Sequence, residues 1–545
     1  MKKQPVIKLI FPPLWDIDLP YLSLPQLSSY LLKYNIANNC FDLNLFFWKQ
    51  LSTRKNLEKF YVWLQEIAIN SEIHTDVDIN LKNYILVKDY VKLEFDVFFI
   101  TIMNENHIVN EKIRELLLLF WFNSNTKKYQ RFHNVSLDDI PLYFYHDRYY
   151  FNSSLSKYAQ NSKDIEFLLN DKSENPYYKF YESVFDNITD GECSFYGLSI
   201  TGINQVIPAF TLAKMLKEKY PNVKIIFGGA WVTQLAAKIA KNPSLFKDVD
   251  YFVVGEGEKA LYKILTGNIE VISNVLMLKD GKIMNSKAPD YVDLDDLPPP
   301  SFIDYDLNSY DIKNTLPYQS SRGCSWGKCT YCSYHILDPF YRKKTKESIY
   351  RDLDTLIHKY STEYICFVDS ELNKERLLSI SDVISYLKRK ISWRGFSKLE
   401  KDLTFDVLSK ASENGCDFLI WGMESGSDNI LYKIRKGTNI KIMENVLRDA
   451  HHAGIHNRVC VMYEIPEESD TDFNHTIDFL KRNINYIGSM SFSQFTLEFN
   501  SVMFNKMNII PDNENELLIG YPLEKRETSY REKLERLFLQ IGGFI

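Results

Sequence analysis

The sequence has 545 residues, 45% of them hydrophobic and 25% charged, which is typical of a globular protein with roughly three to four domains. The net charge of −6 gives no electrostatic footprint for nucleic acid, and the longest apolar run, at 116–122, is too short to span a bilayer. The first residues lack a signal-peptide pattern. We therefore expect a cytoplasmic protein that binds neither nucleic acid nor a membrane.

The first predicted elements are a strand at 7–11, a helix at 22–34 and a strand at 40–45. After a long interruption, strands and helices alternate again from residue 194. The strands are predicted at 195–200, 223–227 and 251–254, and the helices at 206–220, 231–241 and 259–265. This alternation indicates a doubly wound parallel sheet, so 1–48 and 191–297 are predicted to form one Rossmann-like domain.

The segment 49–190 interrupts this domain. Its pattern is helical and aromatic, with the clearest helices at 57–69 and 111–122, whereas the polar stretch 161–175 is predicted to form loops. We interpret the segment as a helical insertion. It either caps the active site and helps to select the substrate, or only packs against the edge of the sheet.

A second alternating series follows Leu297-Pro298-Pro299-Pro300, which is typical of a linker. Its strands are predicted at 318–321, 364–368, 395–398, 418–422, 458–462 and 489–496, and its helices at 347–359, 380–390, 404–414 and 442–453. Six such units indicate a partial (β/α)6 barrel over 298–500, with its active site at the carboxyl ends of the strands. Residues 501–545 are assigned to a C-terminal extension.

Three of the eight cysteines lie close together directly after the first strand of this second series. They are Cys324, Cys329 and Cys332, and they share one predicted loop. Three thiolates can ligate three irons of a four-iron cluster and leave the fourth iron open to a ligand. A structural zinc site is the alternative, and it needs a fourth ligand, for which His335 is the candidate.

The cysteine loop, the barrel pattern and the motifs at later strand ends together resemble the radical S-adenosylmethionine (SAM) superfamily. The usual family spacing has three residues between the first two cysteines, and this chain has four, including Trp326 and Gly327. Some relatives that modify ribosomally made peptides carry a similar widened loop. The resemblance implies a [4Fe–4S] cluster on the three cysteines, SAM as cosubstrate, and a reducing partner such as flavodoxin or ferredoxin.

The resemblance also implies which residues bind SAM. One is the aromatic residue just before the third cysteine, and the others lie at the ends of the second, third and fourth barrel strands. These residues are Tyr331, Asp369, Ser370, Glu371, Lys398, Glu424 and Ser425.

The first domain resembles the cobalamin-binding domain that precedes the barrel in one large branch of this superfamily. Small residues at the ends of its parallel strands would leave room for a flat ligand, although such glycines can also serve only tight turns. The implied cobalamin-binding residues are Ser199, Thr201, Gly228, Gly229, Gly255, Glu256 and Gly257. No Asp-x-His-x-x-Gly motif follows the first strand, so no lower axial histidine is expected.

Together these resemblances imply a cobalamin-dependent radical methyltransferase that acts on an unactivated carbon of a peptide or natural-product precursor. A radical enzyme that rearranges, cyclises, epimerises or crosslinks its substrate without methyl transfer is the first alternative. A non-enzymatic metal- or cobalamin-binding module is the second. In the enzymatic readings the cofactors supply the chemistry, while the protein positions them.

Overall fold

The computed structural model describes residues 7–71, 91–104, 156–189, 193–268, 273–285, 289–507 and 516–522, together with isolated residues between these ranges and near the C-terminus. In these residues the chain forms two large sheets, which belong to successive parts of the sequence. No helix in the described ranges has both the length and the hydropathy required to cross a membrane.

The first sheet contains β1 Ile7–Phe11, β2 Asn38–Asp42, β3 Phe195–Ser199, β4 Lys224–Gly228, β5 Tyr251–Val253, β6 Val275–Lys279 and β7 Lys282–Asn285. Their order is β2-β1-β3-β4-β5-β6-β7, and the first five are parallel. The strand predicted at 40–45 ends at Asp42, because the Asp42 side chain accepts a hydrogen bond from the Leu45 amide and caps the next helix. The antiparallel pair β6–β7 was not predicted.

Helices cover both faces of this sheet. They span Ser23–Lys33, Leu43–Leu51, Val206–Lys219, Ala230–Gln234, Ala236–Ile239 and Glu258–Leu265. The single helix predicted at 231–241 is therefore two short helices. The others agree with the predicted doubly wound arrangement, with the segment 49–190 lying between β2 and β3 in sequence.

The described part of that segment is helical. Its helices are Arg54–Ser71, Phe95–Asn104, Ser162–Asn170 and Tyr177–Ile188. The prediction of loops at 161–175 is wrong for 162–170, because Asn161 caps a helix whose apolar side chains Ile165, Leu168 and Leu169 are buried, and it is correct for the turn at 171–175. Most of the helix predicted at 111–122 lies outside the described residues.

The second sheet contains β8 Thr315–Tyr318, β11 Tyr364–Phe367, β12 Ser392–Ser397, β13 Cys416–Glu424, β14 His456–Tyr463 and β15 Ser489–Gln494. All six are parallel, in the order β15-β14-β13-β12-β11-β8. Because β8 and β15 do not pair with each other, the sheet is an open, partial barrel. The fold class predicted from the sequence, a Rossmann-like domain with a helical insertion followed by a partial barrel, is confirmed.

The barrel helices are Tyr334–Leu337, Lys346–Tyr360, Lys374–Tyr386, Phe405–Glu413, Asp428–Lys433, Ile440–His452 and Asp470–Arg482, and Val502–Lys506 follows β15. Short 3-10 helices span Ser156–Gln160, Ile203–Gln205, Pro243–Phe246, Leu294–Asp296, Leu307–Ser309 and Ile484–Tyr486. Two small antiparallel pairs complete the fold: β9 Ser321–Arg322 with β10 Arg342–Lys343, and β16 Thr496–Glu498 with β17 Gly520–Pro522. The first barrel strand therefore ends at Tyr318, and Ser321 belongs to β9 rather than to the strand predicted at 318–321.

Candidate active site

A cavity of about 480 Å³ lies between the carboxyl edge of the first sheet and the barrel. The first sheet contributes Ser199, Gly228, Gly229, Gly255, Glu256 and Gly257 to its wall, and the barrel contributes Pro317, Gln319, Cys366, Val368, Arg394 and Phe396. Arg322 and Tyr334, which flank the cysteine segment in the sequence, also line it. Thr201 is outside this lining, and none of the lining side chains comes from the described part of 49–190.

The cysteine loop begins directly after β9, at a tight turn. Gly323 has a φ of +86°, and a Cβ at this position would lie 2.5 Å from the carbonyl oxygen of Phe340. Only glycine fits here, because other residues disfavour this backbone conformation and would collide with the neighbouring chain. The turn brings the half-buried Cys324, Cys329 and Cys332 onto one loop.

Burial raises the thiol pKa of all three cysteines above the usual value, which favours the protonated form. Burial raises the pKa of Cys324 to about 11, with the Glu371 carboxylate adding to the effect, and burial raises the pKa of Cys332 to about 12. A bound cation reverses this balance, since coordination deprotonates a thiol. His335, the fourth ligand that a zinc site would need, is exposed on the helix Tyr334–Leu337. No three described His, Cys, Asp or Glu side chains are arranged to hold a single metal ion.

The end of β11 holds the start of the cysteine loop. Glu371 accepts hydrogen bonds from the Ser325 amide (3.1 Å) and hydroxyl (2.8 Å), and the Cys324 thiol lies 3.2 Å from the same oxygen. Asp369 accepts bonds from the Ser320 amide (3.0 Å) and hydroxyl (2.8 Å). Asp369 thus joins the ends of two strands, and its carboxylate is occupied by the protein.

Ser370, between these two carboxylates, differs from Asp369. Its hydroxyl oxygen is buried and has no hydrogen-bond partner among the described residues, and the same is true of the Oε1 atom of Glu371. Because a buried polar atom without a partner is unfavourable, both atoms are suited to a ligand. Ser370 and Glu371 therefore fit the predicted binding role more directly than Asp369 does.

The widened part of the loop is fixed by Trp326. Its indole nitrogen donates to the Arg435 carbonyl (2.8 Å), and its ring packs so closely on Gly437 that a Cβ there would lie 2.2 Å away. The Lys398 ammonium lies 4.0 Å from the centre of the same ring and donates to Glu400 (2.8 Å). The cation–π contact places Lys398, one of the predicted SAM residues, beside the cysteine loop.

Tyr331 and Glu424 belong to one partly buried network. The Tyr331 hydroxyl donates to a Glu424 oxygen (3.0 Å), and Lys436 donates to that oxygen as well (2.8 Å). Ser425 is fully buried, and its hydroxyl is 3.2 Å from that of Thr476. These polar groups therefore join β13 to its neighbours, and the Ser425 hydroxyl is engaged inside the protein.

At the edge of the first sheet, the glycines are required for different physical reasons. A Cβ on Gly229, whose φ is +101°, would lie 2.4 Å from the Ile200 carbonyl oxygen, so the need for glycine there is internal packing. A Cβ on Gly255, whose φ is +75°, would meet no atom within 4 Å. The Ser199 hydroxyl is 3.0 Å from that of Ser23. The open space of the cavity is therefore found at Gly255 rather than at Gly229.

Glu256 has a role that the sequence did not reveal. Its carboxylate pairs with Arg322 (2.9 Å) and with Arg342, and it accepts a bond from the Val292 amide (2.9 Å). Glu258 pairs with Arg322 as well (2.6 Å). Burial works to raise the pKa of Glu256, but the two guanidinium groups outweigh it and hold the pKa below its usual value. Glu256 therefore joins the first domain to the cysteine loop.

The residues that sequence reasoning missed are Arg322, Arg342, Glu258, Cys366 and Arg394. A partial signal existed for the first, since Arg322 lies two positions before Cys324. Glu258 meets Arg322, and Arg342 meets Glu256, only when the two domains pack. Cys366 and Arg394 meet through the register of two barrel strands. Neither kind of contact follows from local spacing.

Comparison with known proteins agrees with this geometry. Residues 318–480, which contain the cysteine loop and most of the barrel, match the sequence profile described as Radical SAM superfamily. Residues 318–480 are therefore a radical SAM domain. The matched range includes the cysteines and every predicted SAM residue.

Three curated relatives share part of the sequence. An uncharacterized methyltransferase of Pyrococcus horikoshii is 28% identical over 53% of this chain and 63% of its own length. A putative methylthiotransferase of Methanocaldococcus jannaschii is 23% identical over 49% of this chain and 62% of its own. A bacteriochlorophyllide d C-12(1)-methyltransferase of Chlorobaculum tepidum is 24% identical over 40% of this chain and 50% of its own length. The chain thus spans less than two thirds of the length of each of these relatives.

Two solved structures share the fold of this chain. The cobalamin-dependent SAM radical enzyme OxsB with aqua-cobalamin superposes with a TM-score of 0.55 at 14% identity, over 100% of this chain and 62% of that one. The methyltransferase TsrM of Kitasatospora setae, with tryptophan and a SAM analogue, superposes with a TM-score of 0.55 at 12% identity, over 92% of this chain and 76% of that one. At such low sequence identity, the structural similarity establishes a shared fold and nothing further.

Proposed function

We propose that this protein is a cobalamin-dependent radical SAM methyltransferase acting on a peptide or natural-product precursor. The observation that carries the proposal is the shared cavity, which has the carboxyl edge of the first sheet on one side and, on the other, barrel strand ends together with Arg322 and Tyr334, the residues that flank the cysteine segment. A cofactor bound at each wall would therefore meet the other across one space. The relatives named as methyltransferases and the fold shared with OxsB and TsrM support the same reading.

On the barrel side, Cys324, Cys329 and Cys332 would hold a [4Fe–4S] cluster. The unpartnered Ser370 hydroxyl and the Lys398 ammonium, which lies beside the loop, would bind polar groups of SAM. Tyr331 and Glu424, fixed by Lys436, would form the wall beside it. Asp369 and Ser425 would act indirectly, because their polar atoms already hold the strand ends together.

On the other side, the edge formed by Ser199, Gly228, Gly255 and Gly257 would hold cobalamin, while Glu256 fixes the two walls to each other. When bound, the cluster and SAM supply a 5′-deoxyadenosyl radical and cobalamin supplies the methyl group. The apolar side chains at the cavity wall, among them Trp15 and Phe396, would keep water from the reacting atoms. An external one-electron donor, such as flavodoxin or ferredoxin, would be needed.

Anaerobic reconstitution with iron and sulfide tests this proposal. We expect the reconstituted chain, given SAM, hydroxocobalamin and dithionite, to form both 5′-deoxyadenosine and S-adenosylhomocysteine, measured by mass spectrometry. Cys324→Ala should lose iron and 5′-deoxyadenosine formation, because the cluster needs all three thiolates. Cys416→Ala is the matched control, since this buried cysteine lies at the start of β13, outside the loop.

The products separate the candidate functions. Both products together support methyl transfer, whereas 5′-deoxyadenosine without S-adenosylhomocysteine supports a radical reaction that transfers no methyl group. If the wild type forms neither product and Cys324→Ala behaves identically, the radical proposal is wrong. A zinc stoichiometry near one per chain in place of iron would then favour a binding module.

A further inference from the structure

Arg394 is a cation in the cavity that the proposed cofactor sites do not use. It lies on β12 and lines the cavity, and its Nε donates to the Cys366 sulfur at 3.3 Å. Cys366 is its direct neighbour on β11 in the parallel register. Among the described residues, Arg394 forms no ion pair within 4.0 Å.

The surroundings of Arg394 leave its charge only partly balanced. Asp18, Asp417 and Tyr364 are near enough to interact with it electrostatically, but neither carboxylate comes within ion-pair distance. A thiol is a weak acceptor and satisfies only one of the five N–H donors of a guanidinium. Because a partly buried charge without a close partner is unfavourable, this position is suited to an anion that comes from outside.

The other cations at the site are already paired. Arg322 is bound by Glu256 and Glu258 of the first domain. Lys398 lies four residues further along the chain, where it stacks on Trp326 and binds Glu400 beside the cysteine loop. Arg394 is thus separate from the loop where SAM would bind.

We propose that Arg394 binds an anionic group of the substrate, a carboxylate or a phosphate. The planar guanidinium suits the paired oxygens of either group. Aromatic and aliphatic side chains, among them Trp15, Tyr21, Leu337, Val368 and Phe396, form much of the wall of the same cavity. The substrate is therefore an amphipathic acid, whose apolar part contacts this wall. The assignment to a substrate rests on the proposed function, whereas the anion site itself does not.

Chemical modification of the full wild-type chain tests this proposal without a variant. Phenylglyoxal reacts with arginine side chains, and peptide mass spectrometry gives the rate at Arg394. Benzoate and phenyl phosphate are the anionic probes, and benzamide is the uncharged control of the same shape. We expect at least one anion to slow modification of Arg394 and benzamide to have no effect. Arg389, which pairs with Glu363 on the surface, is the internal control.

Several results would overturn the proposal. One is a rate at Arg394 that no anion changes, and another is equal protection by benzamide. Equilibrium binding to Arg394→Gln and Arg389→Gln decides the source of the anion. The proposal expects the affinity for the protecting probe to fall by about tenfold or more in Arg394→Gln but not in Arg389→Gln. A loss of that size agrees with the free energy of a charge-assisted hydrogen bond. A similar loss for SAM or hydroxocobalamin would instead assign the anion to that cofactor.

The two proposals fail in different ways. A chain that shows anion protection of Arg394 but forms no 5′-deoxyadenosine would contradict the proposed function and retain the anion site. A chain that forms 5′-deoxyadenosine without anion protection would retain the radical function and exclude this mode of substrate recognition.

Discussion

The two walls of the cavity are built differently. On the barrel side, the side chains predicted to bind SAM lie outside the cavity lining, and most are already held by other side chains: Glu371 by Ser325, Glu424 by Lys436, and Lys398 by Glu400. On the Rossmann wall the predicted positions are mainly glycines, which offer backbone and open space. Substitutions of the barrel side chains should therefore disturb the cysteine loop as well as ligand binding, whereas substitutions on the Rossmann wall should act mainly through contact with the ligand.

The ion pairs between the walls give the strongest test of this comparison. Arg322 neutralises two buried carboxylates, with side-chain exposures of 12% for Arg322, 5% for Glu256 and 4% for Glu258. Arg322→Met would leave Glu256 with Arg342 and would remove the ion-pair partner of Glu258. We expect it to lower the free energy of unfolding by about 3–5 kcal/mol, the range for breaking one side of a buried ion pair. Urea denaturation measures this loss.

Arg389→Met is the control for that change. Arg389 pairs with Glu363 at 2.8 Å, but both side chains are largely exposed to solvent. Its removal should lower the free energy of unfolding by only about 0–1 kcal/mol. Equal losses in the two variants would show that the contact between the walls adds no more stability than a surface pair.

A second test concerns the glycine under the cysteine loop. Gly437 has a φ of +72°, and an added Cβ would lie 2.2 Å from the Trp326 ring. Gly437→Ala should therefore incur overpacking of about 1–3 kcal/mol in addition to backbone strain of about 1–2 kcal/mol. Because Trp326 would have to move, we also expect less iron per chain after reconstitution.

Gly267→Ala separates these two effects. Gly267 has a φ of +77°, and an added Cβ would meet no atom within 4 Å. This variant should show only the backbone strain, about 1–2 kcal/mol, and retain the iron content of the wild type. If Gly437→Ala bound as much iron as Gly267→Ala, packing of Trp326 would not be needed to hold the loop.

Much of the fold followed from the sequence because its signals are local. Parallel strands such as β1 and β11 are short apolar runs, and their predicted positions agree with the structure to within about one residue. The pair β6–β7 was missed although Asp280-Gly281, a common hairpin turn, lies between the strands. The helix Ser162–Asn170 was missed because its polar residues hid a narrow apolar stripe.

The site was less predictable, for a physical reason. The cysteines are adjacent in sequence, so spacing alone revealed them. The pairing of Glu256 with Arg322 joins residues 66 positions apart, and the contact of Arg394 with Cys366 depends on the register of two strands. Such contacts depend on tertiary packing, which is why Glu256 was assigned to a ligand rather than to the contact between the domains.

The smallest effect that we expect distinguishes two carboxylates within the barrel. Asp472 accepts hydrogen bonds from the hydroxyls of Ser427 and Ser469, both at 2.6 Å, and these outweigh burial and lower its pKa. Burial instead raises the pKa of Asp369, although bonds from Ser321 and Ser320 work against it. The two groups should therefore change stability with pH in opposite directions.

The sign follows from proton uptake on folding. The pKa of aspartate in the unfolded chain is about 3.9. The contribution of Asp472 to the free energy of unfolding is therefore complete above that pH, and it is lost as the pH falls through the lower pKa of Asp472 in the folded state. For Asp369 stability is lost as the pH rises from about 3.9 through its higher folded value. Between about pH 3 and about pH 7, urea denaturation should show the advantage of wild type over Asp472→Asn growing with pH and its advantage over Asp369→Asn shrinking. If both stability differences changed with pH in the same direction, hydrogen bonding would not outweigh burial at Asp472. The pKa values of the two carboxylates would then be shifted in the same direction on folding.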